Sequence, residues 1–94
     1  MTTKNIAIYR ILTNLANAGL TKHEFKSALQ LVGRCRPYHD SEFLAAAVAG
    51  DLEKDDFQSK QIVKDNMKEL IDLYSRPDYI SKDYKILLSA YPDH

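Results

Sequence analysis

Six residues punctuate this chain. Its only glycines are Gly19, Gly33 and Gly50, and its only prolines are Pro37, Pro77 and Pro92. Each glycine follows a stretch in which apolar residues recur every three or four positions, where a left-handed residue can end a helix at little steric cost. The prolines fall between or after such stretches, as helix breakers do. No Asn-Gly or Asp-Gly hairpin signal occurs, and alternating apolar and polar runs are absent. The spacing predicts an all-α chain: a compact bundle of about five short helices in one domain, with no β-sheet.

The periodicity places the first helix at about Lys4 to Ala18, with Arg10, Thr13, Asn14 and Asn17 in one polar stripe. A second starts after Thr21, an N-cap whose Glu24 three residues on completes a capping box, and runs through Phe25, Ala28, Leu29 and Val32 to Gly33. The third, about Glu42 to Ala49 and capped by Asp40 or Ser41, is apolar nearly all round and is expected at the centre of the bundle. The fourth, about Lys54 to Tyr74, puts Phe57, Val63, Met67, Leu70, Ile71 and Tyr74 on one face and Lys60, Lys64 and Lys68 on the other. Ser81 is the expected cap of a fifth, with Ile80, Tyr84, Leu87, Leu88 and Tyr91 on its apolar stripe. An internal echo links Leu20-Thr21-Lys22-His23-Glu24-Phe25 to Leu52-Glu53-Lys54-Asp55-Asp56-Phe57. Convergence of two helix starts on the same arrangement of staple, cap, acid and aromatic accounts for it more simply than duplication.

Charge narrows the function classes. Thirteen basic and thirteen acidic residues in 94 give zero net charge, yet residues 1–36 carry a balance of +5 and residues 37–94 one of −5. A uniformly basic DNA-coating surface is excluded, whereas a polar docking surface is not. The seven-residue apolar run Phe43–Ala49 is far short of the roughly 20 residues that span a bilayer. The lysine stripe of the fourth helix alternates with acids, so no membrane partner is expected. The absence of a cleavage pattern after Met-Thr-Thr-Lys-Asn and the single cysteine, Cys35, fit a cytoplasmic protein.

The chemistries that need assembled residue sets are weakly represented. Cys35 and His39 form a lone C-x3-H without a second ligand pair, and a calcium loop counted from Asp51 has Asp56 at position six and Ile62 at position twelve. Arg34 and Arg36 flank Cys35 and would favour its thiolate, but no glycine-rich phosphate loop or G-x-S-x-G elbow accompanies it. The expectation is therefore a chain that is no enzyme and needs neither cofactor nor metal.

The chain reads instead as a small interaction protein, an adaptor, inhibitor or regulator that docks onto a protein partner. Arg34, Arg36 and Tyr38 cluster between two helices, Tyr79 lies in a second loop, and tyrosine and arginine are favoured contact residues. The acids Asp51, Glu53, Asp55 and Asp56 form an oppositely charged candidate patch. A homodimer seam along the apolar third helix is a further expectation. The alternative is a divergent helix-turn-helix regulator binding nucleic acid through Lys22, Lys26, Arg34 and Arg36. Its second helix, however, lacks the arginines, asparagines and glutamines that read base edges.

Overall fold

A computed structural model describes residues 3–35, 40–74, 80 and 82–92. Five helices follow one another: α1 (Thr3–Asn17), α2 (Lys22–Cys35), α3 (Ser41–Gly50), α4 (Phe57–Leu73) and α5 (Tyr84–Ala90). No strand occurs among the described residues. The chain forms one all-helical globule with a radius of gyration of 12.0 Å, near the ~12 Å expected for its length. Its extents of 33 × 30 × 19 Å make it about two helix layers thick.

The first turn of chain is written in local chemistry. Gly19 has φ +92°. Its N–H donates to the Ala16 carbonyl at 3.0 Å, and that of Leu20 to the Leu15 carbonyl at 3.1 Å. This pair of bonds is a Schellman motif, and the accompanying Leu15–Leu20 apolar pair is fully buried. Thr21 then opens α2 with the expected capping box: the Glu24 N–H donates to Thr21 Oγ1 at 3.1 Å, and the Thr21 N–H donates to Glu24 Oε1 at 3.0 Å.

The later glycines behave otherwise. Gly33 lies inside α2, which continues to Cys35, and Gly50 is the last residue of α3. A helical glycine costs only about 1 kcal/mol relative to alanine. The packing of Leu29, Val32 and the half-buried Cys35 against the core carries α2 past Gly33.

Among the described helices, α3 and α4 pack on each other most extensively. Asp40 caps α3 by accepting the Phe43 N–H at 2.8 Å. Asp56 caps α4, accepting from the Gln58 N–H at 2.9 Å and Ser59 Oγ at 2.7 Å, so α4 begins at Phe57 and not at Lys54. Asp56 takes the cap because its short carboxylate reaches the free N–H groups of the next turn. Phe57 consequently falls in the first turn and is 77% exposed, leaving the core face of α4 to Val63, Met67, Leu70 and Ile71. Phe25, its counterpart in the internal echo, is completely buried. The two segments share letters but enter their helices in different registers.

α1 crosses α4, and α2 packs on α3 and α5. The polar stripe of α1 faces α4 where the helices meet. Arg10 pairs with Glu69, Asn14 Nδ2 donates to Asn66 Oδ1 at 3.1 Å, and Asn66 Nδ2 donates in turn to the Ile62 carbonyl at 2.8 Å. α3 is not enclosed on all sides as its composition suggests. Leu44, Ala45, Val48 and Ala49 are buried, whereas Phe43 is 52% exposed and Ala46 is also exposed. Its packed face is thus already used within the chain. α5 begins after Asp83, while Ser81, the expected cap, lies outside the described residues. The helix is held by Tyr91, whose ring stacks on Phe25 (centroids 4.5 Å apart) and whose hydroxyl donates to the Leu20 carbonyl.

Candidate functional site

A concavity carrying sequence-predicted site residues lies between α2 and the junction of α3 with α4. It is an open groove of about 390 Å3, at the small end of the roughly 300–1,000 Å3 of ligand clefts. Ala28 and Leu31 of α2, Val48 of α3 and Leu52 supply its apolar surface, while His23, Glu24, Ser27, Asp51 and Glu53 supply its polar one. The groove exists because α2 contributes small side chains at 27 and 28, and because α3 ends at Gly50, so the chain turns away before a further helical turn fills the gap.

Lys54 sets the electrostatics at the end of the groove. Its Nζ donates to the Gly19 carbonyl and stands 3.8 Å from Glu24 Oε1. One ammonium therefore joins the turn before α2, the capping box of α2 and the α3–α4 connection. Glu24 is spoken for twice, by the Thr21 N–H and by Lys54. Asp51 and Glu53 are exposed and enter no ion pair among the described residues.

The predicted site residues thus separate. Asp51 and Glu53 share the groove with His23, Glu24 and Ser27, a neighbourhood that sequence reasoning did not assemble. His23 and Ser27 are four residues apart and hence on one helix face, a signal available in the sequence. Asp55 is exposed outside the groove lining, and the Asp56 carboxylate is occupied with capping. Hydrogen bonds from Ser59, chiefly from its side chain, hold the Asp56 carboxyl below the ordinary carboxylate range. Arg34 is exposed in the last turn of α2, about 15 Å along the axis from Glu24. Arg36, Tyr38 and Tyr79 lie outside the described residues.

Ion pairs join the two charge halves in opposite senses: Arg10 of the basic half meets Glu69 of the acidic half, whereas Lys54 of the acidic half meets Glu24, the one acid of the basic half.

The groove also holds the residue types of a hydrolytic triad, Ser27, His23 and a carboxylate. Such a triad requires nucleophile-to-base and base-to-orienting-group hydrogen bonds. Neither bond is made here, and both His23 and Ser27 are exposed. Among the described residues no three His, Cys, Asp or Glu side chains gather into a group that could hold a metal ion. No helix among them is long and apolar enough to cross a membrane. The exposed positions of α3 are Glu42, Phe43, Ala46 and Gly50, none of which carries a side-chain donor for a base edge.

A second, smaller groove of about 290 Å3 separates α1 from α5 and is bordered by Asn5, Ile8, Tyr9 and Ile86. At its base the Tyr74 hydroxyl bonds Asp83. Burial foremost, then the Asp83 charge, pushes the Tyr74 phenol up to about 12. Ile6 and Ile86 are 57% and 70% exposed. No protein-family model, curated protein or solved structure matches this chain.

Proposed function

We propose that this chain is a small non-enzymatic interaction protein that docks onto a protein partner through the groove between α2 and the α3–α4 junction. One observation carries the reading: a solvent-open groove with a small apolar patch, chiefly Leu31 with the edges of the buried Ala28, Val48 and Leu52, is bordered by Asp51 and Glu53, which enter no ion pair among the described residues. Interfaces of this construction bury an apolar centre inside a polar rim, the floor supplying affinity and the rim supplying orientation. A shallow, open groove of this size suits the side chains of a peptide segment.

The test places a photo-crosslinking side chain at Ser27, in the groove, or at Ser89, exposed on α5, and identifies what each captures in the cell. A partner captured from position 27 alone is then purified, and its binding is measured calorimetrically against the native chain and Ser27→Trp. The indole fills the groove from an exposed position and leaves the core untouched. Loss of binding with an unchanged circular dichroism spectrum is expected. Equal capture from both positions, or binding indifferent to Ser27→Trp, would refute docking at this groove.

A further inference from the structure

We infer that the groove's occupant is a basic protein segment that lays the aliphatic stem of a lysine or arginine along Ala28, Leu31, Val48 and Leu52 and sets its charged head against Asp51 and Glu53. The inference rests on the docking reading above and specifies its partner chemistry. Long cationic side chains are themselves amphipathic, with an apolar stem and a charged tip. The groove lining presents both surfaces, a small apolar patch at Leu31 with the edges of Ala28, Val48 and Leu52, and the carboxylates of Asp51 and Glu53.

The charge around the groove is unbalanced in one direction. Glu24, Asp51 and Glu53 line it beside the imidazole of His23, and the ion pair made there among the described residues is that of Lys54 with Glu24. Lys54 is committed to Glu24 and the Gly19 carbonyl, so it compensates the carboxylate already engaged in capping α2. The other two make no ion pair among the described residues and are the carboxylates offered to an external cation. An acidic segment would meet like charge at this rim, and a wholly apolar one would desolvate Asp51 and Glu53 without pairing them, which is costly.

Three fluorescein-labelled peptides test this. They share one helical scaffold with a leucine anchor and differ at two flanking positions, which carry arginine, glutamine or glutamate. Fluorescence anisotropy reads binding to the intact chain, and amide chemical shifts locate it. In about 0.1 M salt the arginine peptide is expected to bind about tenfold more tightly than the glutamine peptide, the scale of two partly screened ion pairs. Its shifts should centre on His23, Ser27, Leu31, Asp51 and Glu53. The preference should fade in about 1 M salt, where the screening length falls to about 3 Å. Asp51→Asn combined with Glu53→Gln should erase it, whereas Glu42→Gln, at the opposite end of α3, should not.

Equal binding of all three peptides, an arginine preference that survives the double variant, or binding of none would overturn the inference. If Ser27→Trp abolishes partner binding while the peptides show no cationic preference, docking at the groove stands and only the basic occupant falls.

Discussion

The same chemical change, glycine to alanine, should act with opposite sign at two positions in this chain. At Gly19, φ is +92°, and a Cβ there would lie 3.2 Å from Lys54 Nζ. Holding an L-residue in the left-handed region costs about 1–2 kcal/mol. Displacing the ammonium weakens its bond to the Gly19 carbonyl, worth about 0.5–1.5 kcal/mol. Reduced freedom of the unfolded chain offsets about 0.4–1 kcal/mol. The net is a loss of about 0.5–3 kcal/mol, or a fall in Tm of about 2–24 °C for a domain of this size. At Gly50, helical and with nothing within 4 Å of an added Cβ, only the entropic and propensity gains remain. Gly50→Ala should stabilise by about 0.5 kcal/mol and raise Tm by about 2–4 °C. Thermal and urea unfolding followed by circular dichroism at the helical band measure both. Lys54→Ala separates the contributions at Gly19: in that background the backbone cost of Gly19→Ala persists and the steric part disappears. Shifts of the same sign at both glycines, or a Gly19→Ala cost that vanishes with Lys54, would refute the reasoning.

Phe25→Ala should cost about 3–5 kcal/mol and leave the domain largely unfolded near body temperature, whereas Phe57→Ala should change stability by less than about 0.5 kcal/mol; urea midpoints decide, and comparable losses would mean that Phe57 is packed. Two tyrosines should ionise late in an ultraviolet titration, because burial raises both Tyr74, to about 12, and Tyr91. Their folded values exceed the unfolded one near 10, so the associated stability is full below that pH and is lost as pH rises through the folded values; Tyr74→Phe should remove one late step, and an unchanged profile would count against it. The Asp72 carboxyl is held below its ordinary range, first by the Ser41 hydroxyl and then by Lys68. Its stability contribution is therefore present above the usual carboxylate range and lost as pH falls through the depressed value; Ser41→Ala should raise the Asp72 titration midpoint seen by carboxyl NMR, and an unmoved midpoint would discount the hydroxyl.

What was legible in the sequence is what neighbouring residues decide among themselves. The backbone bonds that close the turn at Ala18-Gly19-Leu20 and the capping box of Thr21 and Glu24 run between near neighbours in sequence, and the turn and capping box follow from them. The start of α4 was less legible because Glu53, Asp55 and Asp56 all carry capping or helix-favouring side chains, and the choice of Asp56 decides where Phe57 points. Gly33 reads as a stop until the core contacts of Cys35 are known. Asp51 and Glu53 were visible as charges, but their meeting with His23 and Ser27 depends on how α2 sits against α3, and residues some 25 positions apart do not announce that.

The bond from Tyr91 to the Leu20 carbonyl and its stack on Phe25 have a consequence for the order in which this molecule can be made. Phe25 emerges early from a ribosome, yet part of its covering arrives only when residue 91 is synthesised. Until then the nascent chain exposes a phenylalanine, and α5, at seven residues, is too short to persist by itself. Folding of this domain therefore cannot finish before Tyr91 has left the ribosome. The interval between those two residues is the period in which chaperones, or an early partner on the open α2 surface, would find the chain.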